Sequence, residues 1–443
     1  MVLAAIGMCL PLSAIAQTSP PAGTEVPADD PELDRLFERM LREPANLDVM
    51  FQYAQRAVEI GNYDAAVGTL SRMLLFNPDL PRVRLELGAL YFQMGSYEAA
   101  RTYLTQALEA KDMPPEIRER ANILLAEIDR RTARSILTGS LTVGARWQQN
   151  ANSGPGSAQV RALGQDATLS NEFLRRSDWN AFGLASFQHT YNPMVVSGDV
   201  LESTAVLYGT RQNELKTLNV ALMEVTTGPR FALGDSGPGK ATLRPYLLAN
   251  IVGLGDVRYY HSFGGGISLT QEFGPRVLGE VLLERRDKYF NNSEARPFAK
   301  DQTGDENSVF VSARIQTSAD TLIAAGVGLS GDNAREEFRA NTQYLASASF
   351  TYFFDPDFWT TTQPWTVSLS VARLATNYNG PDPSVDPEVD RKDREWRFGV
   401  LGTAPITDSL SVLAQAQRFN VSSNLPNFEY NNWALTGGLS WRF

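Results

Sequence analysis

From Leu137 to its last residue the chain is a succession of stretches of roughly ten residues with apolar side chains at every second position, separated by clusters of Gly, Pro, Asn and Asp. Strand side chains alternate between the two faces of a sheet, so each stretch offers one greasy face and one small or polar face. The pattern is plainest in the closing segment NNWALTGGLSWRF, residues 431–443. There Trp433, Leu435, Gly437, Leu439, Trp441 and Phe443 fall on one side, and Ala434, Thr436, Gly438, Ser440 and Arg442 on the other. A soluble sheet with its apolar face on a core would alternate in the same way. The number of stretches and the way they are joined must therefore decide.

Candidate strands lie at 138–148, 178–191, 200–212, 217–228, 242–253, 257–272, 276–289, 306–316, 320–331, 342–354, 364–377, 393–404, 408–420 and 430–443. The total is about fourteen, an even number as a single-chain bacterial barrel requires. Val309, Val311, Ala313 and Ile315 oppose Ser312, Arg314 and Gln316, and the stretches around Leu141, Trp365 and Trp396 alternate as cleanly. Stretches 178–191 and 242–253 are ambiguous. Connections alternate between short turns (FGPR, TSAD, PITDS) and long polar loops, notably 149–177, 290–305 and 378–392. That sorting is the habit of an outer-membrane barrel, and a soluble sandwich has no reason for it. Trp147, Trp179, Tyr191, Tyr289, Tyr352, Phe353, Phe354, Trp359, Trp365, Trp396, Trp433 and Trp441, near strand ends, would form the two interfacial girdles.

Before this region, residues 32–134 carry helical periodicity and an internal repeat. Gly61, Tyr63, Ala66 and Leu70 recur as Gly95, Tyr97, Ala100 and Leu104, the 34-residue spacing of tetratricopeptide repeats. The second copy adds Leu87, Gly88, Tyr91 and Ala107. Two repeats do not bury a continuous core alone, so the helical segments DPELDRLFERMLREP and PPEIRERANILLAEIDRRTARS are expected as caps. Such an array offers a concave surface to extended peptide, or serves as a plug or spacer. Tyr63, Tyr91 and Tyr97 are the candidate client contacts, and packing within the repeat is the alternative role for each.

The apolar run MVLAAIGMCLPLSAIAQ ends on Ala14-Ile15-Ala16, which is expected as a signal peptide, residues 1–16, although a basic n-region is missing. The Pro-rich polar stretch 17–31 follows as a flexible linker. Cys9 is the only cysteine, so a chain cleaved after Ala16 has no disulfide, thiol nucleophile or Cys-ligated zinc. No later run of apolar residues is long enough for a membrane helix. The net charge of -10, with no concentrated Lys and Arg, argues against a nucleic-acid partner.

Chemistry-bearing patterns are sparse. The two histidines, His189 and His261, fall on separate strands, and no P-loop, zincin or nucleophile-elbow pattern occurs. The expectation is a non-enzyme with no metal and no cofactor. Gly264–Gly266 opens a strand pattern without the helix that a phosphate cradle needs, so small residues in a barrel wall are its expected meaning. Alternation sends Arg146, Glu280, Glu284, Arg286, Arg314, Glu395, Arg397 and Arg442 toward the lumen, because charge on the lipid face is costly. They are either a solvated, ion-paired pore wall or a gate for a translocating chain.

The acid-tipped linker, the two repeats, the helix-to-strand junction RRTARSILTGSLTVGARWQQNANSG and the Phe443 terminus together resemble the Slam family, the surface lipoprotein assembly modulators. The resemblance covers most of the mature chain at the level of architecture. It implies a helical repeat array followed by a membrane β-barrel, with the repeats in the periplasm and the barrel in the bacterial outer membrane. It further implies delivery of lipoproteins or related secreted proteins to the cell surface. The implied partners are the client protein, a periplasmic chaperone, outer-membrane lipid and the barrel-assembly machinery, which would read Trp441 and Phe443. The alternatives are a tetratricopeptide-porin exporting exopolysaccharide, which usually carries many more repeats, and a passive porin with a periplasmic docking module.

Overall fold

The computed structural model describes residues 30–443, apart from 111–113, 194–198, 235–238, 359, 360 and 362, and apart from the side chains of Arg130 and Arg131. The expected signal peptide, all but the last two residues of the linker, and Trp359 lie outside the described residues. The chain divides into two compact units, which meet in sequence at Ala133 and Arg134.

Among the described residues the first unit is an array of six helices: α1 (Pro31–Arg42), α2 (Leu47–Glu59), α3 (Tyr63–Phe76), α4 (Pro81–Gln93), α5 (Tyr97–Leu108) and α6 (Pro115–Thr132). Polar side chains start the first three: the Leu33 N–H donates to Asp30 Oδ1 at 2.8 Å, and the Asn46 and Asn62 side chains accept from the first turns of α2 and α3. The Arg56 guanidinium, then the Leu33 N–H, holds the Asp30 carboxyl below the usual carboxylate range, tying the start of α1 to the end of α2. Gly61 and Gly95 stop α2 and α4 at φ 81° and 74°, a conformation costly for any residue with a Cβ. In each, the next residue's N–H reaches back (Asn62 to the Ala57 carbonyl, Ser96 to that of Tyr91), closing a Schellman motif. The recurring glycines thus serve as helix stops. Close helix packing falls to Ala66 and Ala100, both fully buried, and to Gly88, where an added Cβ would lie 2.6 Å from the Leu104 side chain. Two clusters form the core, one around Val49, Met50, Leu70 and Leu87, the other around Leu85, Leu104, Ala121 and Ile128. α1 and α6 supply Met40 and Ile128, so the flanking helices do cap the repeats.

The second unit is a closed antiparallel barrel of fourteen strands. Its staves are β1 (Ser135–Gln148), then, after a small hairpin β2 (Gln159–Ala162) and β3 (Gln165–Thr168), β4 (Asp178–Tyr191), β5 (Val200–Gln212), β6 (Val220–Ala232), β7 (Ala241–Leu254), β8 (Val257–Glu272) and β9 (Val277–Phe290). The rest are β10 (Gly304–Ser318), β11 (Thr321–Ala334), β12 (Asn341–Phe354), β13 (Trp365–Pro381), β14 (Asp390–Pro405), β15 (Leu410–Ser423) and β16 (Tyr430–Arg442). Each pairs with its neighbours in sequence, and β1 pairs with β16 with Val143 opposite Leu439, which leaves no free edge. Beyond the last strand residue, Gly139 and Phe443 exchange both backbone hydrogen bonds, and the Phe443 ring lies over Gly139.

Exposure follows the alternation. Leu435, Leu439 and Phe443 are 48%, 44% and 44% exposed, while their neighbours Ala434 and Thr436 are 2% and 8%. The same parity leaves Leu141, Val143, Leu247, Ile251, Val311, Val327, Leu369 and Val400 exposed around the outside. Among the described residues no helix is long and apolar enough to cross a membrane. Closure, an apolar exterior and complete strand pairing make this unit an outer-membrane barrel.

Trp441, Phe443, Tyr352, Phe354 and Trp365 ring the end that holds Ser135 and Phe443, the terminal end, and Trp147, Trp179, Tyr289, Trp396 and Trp433 ring the opposite, loop end. Phe353 departs from the expected girdle: it pairs with Thr366 on the inward face. The loop end carries the long connections 149–177, 291–303 and 382–389, and the terminal end short ones such as 273–276 and 319–320. The sorting is incomplete, with 355–364 at the terminal end and the Gly255-Asp256 turn at the loop end. Both residues of that turn have positive φ, the type I′ geometry that matches strand twist, and Leu163-Gly164 repeats it between β2 and β3.

Candidate functional site in the barrel lumen and the repeat groove

Inward positions on β6, β7 and β9 build an ion-paired network. Arg286 Nη1 donates to Glu224 Oε2 at 2.6 Å, Arg286 Nε donates to Glu284, and Tyr246 Oη donates to Glu284 Oε2 at 2.8 Å. Gly266 makes room for this: a Cβ there would lie 2.5 Å from the Tyr246 ring. Glu224 and Arg286 are separated by two intervening strands at about 4.8 Å each, a span their side chains close because the inner wall is concave. Lys288 similarly reaches Glu306 at 3.0 Å and Asp332 at 2.6 Å, from β9 across β10 to β11. On β5–β7, Glu202 lies between Arg230 (3.6 Å) and Arg244 (3.3 Å). Such cross-bracing offsets the desolvation of each charge and fixes neighbouring staves in register.

Of the lumen residues expected from parity, Glu284 and Arg286 sit in this network, and Glu395 and Arg397 form their own pair at 2.5 Å. Arg146 bonds Thr436 Oγ1 at 3.2 Å and lies over the Phe182 ring. Glu280 and Arg314 fall on the inward register, opposite Ser312 and Leu278 respectively, and Arg442 is exposed at the terminal end. The structure does not gather all eight at one point. Sequence reasoning missed Glu202, Glu224, Arg244, Lys288, Glu306 and Asp332, although each stands at the same parity as its partner. The inner wall is also less uniformly polar than alternation suggests, since Leu184, Leu222, Leu248 and Val252 face inward and are buried. Side chains therefore fill that part of the lumen. His189 and His261 face outward on different strands: His189 bonds Ser135 Oγ at 2.8 Å and His261 stacks on Tyr289.

At the loop end, the β2–β3 hairpin is fastened to two other loops. Leu163 and Gly164 donate to the Ser384 and Val385 carbonyls, Arg161 and Asn427 bond reciprocally, and Arg161 Nη2 meets Asp386 Oδ2 at 2.9 Å. The Glu388 N–H and the Arg161 guanidinium together hold Asp386 below the usual carboxylate range. Beside them the Arg391 guanidinium is in contact with the rings of both Tyr378 and Phe428.

The repeat unit carries a groove of about 340 Å³ with Ala54 and Leu90 at its floor, Phe51, Gln55 and Val58 along it, and the Arg120–Glu86 pair (3.1 Å) at its edge. Tyr63, Tyr91 and Tyr97 are not in it. Tyr63 packs on the first core cluster, Tyr91 on both clusters and against Tyr103, and Tyr97 against Phe92. Groove residues of α2 and α4 were missed because they fall between the repeat's signature positions.

Residues 54–136 match the tetratricopeptide repeat family (TPR_9). No curated protein matches the chain. Among solved structures, the repeats are similar to the Yersinia enterocolitica type III secretion chaperone SycD, solved in complex with a peptide of the translocator YopD. That match has 19% identity, 22% of this chain, 78% of that one and a TM-score of 0.21. The barrel is similar to a bacterial polysaccharide outer membrane secretin, with 9% identity, 69% of this chain, 98% of that one and a TM-score of 0.34. It is also similar to Pseudomonas putida OprB, with 10% identity, 72% of this chain, 96% of that one and a TM-score of 0.35.

Proposed function

We propose that this chain is an outer-membrane translocator that helps deliver lipoproteins or related secreted proteins to the cell surface, with the repeats in the periplasm engaging the client or a chaperone. The observation that carries this reading is the pairing, in one chain, of an open groove on a repeat array with a closed barrel whose lumen is braced by ion pairs. Repeat arrays present extended peptide with a concave surface, and a groove of apolar floor with charged rim suits an unfolded segment. A braced lumen suits a conduit that opens for a client, and suits a passive porin less well. The work is binding and passage, with no reaction catalysed and no cofactor or metal engaged. Trp441 and Phe443, tilted against each other on the outer face with ring centroids 4.8 Å apart, are the residues the barrel-assembly machinery would read. The resemblance to the Slam family points the same way. The test is surface exposure of a lipidated or secreted protein encoded beside this gene, measured by protease shaving of intact cells with and without the gene. Loss of exposure in the deletion is expected; unchanged exposure contradicts the proposal.

A further inference from the structure

The outer wall of the barrel has a notch that neither closure nor translocation requires. Gly183, Gly209, Ala221 and Gly253 are directly paired in one row across β4, β5, β6 and β7, all on the lipid-facing parity. None of the three glycines has positive φ, so backbone conformation does not demand them. Space does not demand them either: a Cβ on Gly183 would meet nothing within 4 Å, and on Gly209 and Gly253 the nearest atoms would be 3.8 and 3.4 Å away. Glycine inside a strand weakens it and marks either a bulge or a place where another molecule comes close. Gly253 sits at the register shift of β7 against β8, whereas Gly183 and Gly209 lie in regular pairing. Leu207, Met223 and Ile251 stand along one side of the row, and together they define a groove of about 800 Å³.

The groove is oriented. Gly183 lies near the middle of β4, whereas Ala221 and Gly253 stand one residue from the ends of their strands, Val220 and Leu254, so the row climbs from mid-wall to the loop-end rim. Two arginines wait at that rim. Arg211 pairs with Asp256, which also accepts from Asn219 Nδ2 at 3.0 Å, and Arg258 makes no hydrogen bond or ion pair among the described residues. An apolar channel that begins at hydrocarbon depth and ends on cations at headgroup depth is complementary to an acyl chain carrying a phosphate. A second copy of the barrel fits poorly. Two barrels in one membrane share their depth, so a symmetric contact through this face would set Arg211 and Arg258 against their own images.

We infer that this groove is a binding site for a phosphorylated acyl lipid of the loop-end leaflet, its chains along Gly183, Gly209 and Gly253 and its phosphate on Arg258 and Arg211. Nothing in the groove depends on what crosses the lumen. The experiment is native mass spectrometry of the full chain in detergent with lipid A as probe, and its dephosphorylated form and phosphatidylcholine as comparators. Wild type should retain lipid A about tenfold better than either comparator, and Arg258→Gln should lose that preference. Gly183→Leu/Gly209→Leu, which fills the groove, should lose retention of the probe while keeping the heat-modifiable mobility of a folded barrel. Equal retention by the filled variant, or a dimer that the filled variant abolishes, overturns the inference. Should the filled variant not fold, Arg258→Gln decides alone, and an unchanged preference for the phosphorylated probe overturns it.

Discussion

Arg286 is held between Glu224 and Glu284, so removing it leaves two inward, largely buried carboxylates without their shared cation. Breaking a buried pair costs about 3–5 kcal/mol, and the partial exposure of Glu224 lowers the expectation for Arg286→Met to roughly 2 kcal/mol. The check is the urea midpoint of the folded barrel, and the same variant should raise conductance in planar bilayers by loosening the brace. At the loop end the Arg161–Asp386 latch gives a pH dependence. Because Asp386 titrates below its unfolded value, its contribution is fully present above that unfolded value and disappears as the pH falls through the lower, folded one. Protease nicking within 149–177 should therefore accelerate in acid, and Asp386→Asn should nick at neutral pH as wild type does in acid. At this scale parity alone exposed Glu284, Arg286, Glu395 and Arg397. The pairing of Glu224 with Arg286 stayed hidden because it depends on curvature, which no local pattern encodes. The three tyrosines were legible as repeat positions with packing as one of two expected roles, and the structure packs each of them half-buried on the core clusters. Sequence left the two roles open because an aromatic that fills a gap and one that grips a ligand look alike there.

Strands were legible where one face is greasy and the other polar, as in β10, β13, β14 and β16. β4 and β7 resisted because Phe182, Leu184, Leu248 and Val252 make their inward faces apolar too, so the period-two signal fades. The β2–β3 hairpin went unseen, its strands being four residues each and its signal only the Leu163-Gly164 turn. The faces differ in tolerance. Leu435→Arg, on the lipid side, should cost about 2–4 kcal/mol, while Thr436→Arg, one residue on and inward, should cost less than half of that. Refolding into vesicles with a urea titration compares them. In the repeat unit, Gly88→Val drives a Cβ into Leu104, and overpacking of this kind costs about 1–3 kcal/mol. The helical far-ultraviolet signal of the full chain should melt at lower temperature in Gly88→Val, with the barrel's heat-modifiable mobility unchanged.

At the scale of the molecule, an even number of alternating stretches, loops sorted by end and a terminal aromatic strand were together enough to announce a barrel. They work because lipid forbids an unpaired strand edge, so a long run of two-faced strands has few other solutions. What crosses the lumen is not written in the same way, since ion pairs such as Lys288–Asp332 brace a wall whatever the cargo. The whole construction rests on the seam between β1 and β16. There Thr142 faces Ser440, with their hydroxyl oxygens 3.0 Å apart, at a pair that alternates with the hydrogen-bonded Gly139–Phe443 pair and so brings its Cβ atoms close enough for a disulfide. With Cys9 replaced by serine, Thr142→Cys/Ser440→Cys should oxidise to a single intramolecular cross-link in native membranes and keep the mobility of a folded barrel after heating. Free thiols at both positions in folded, membrane-inserted protein would mean that the sheet is open, and the barrel would be wrong.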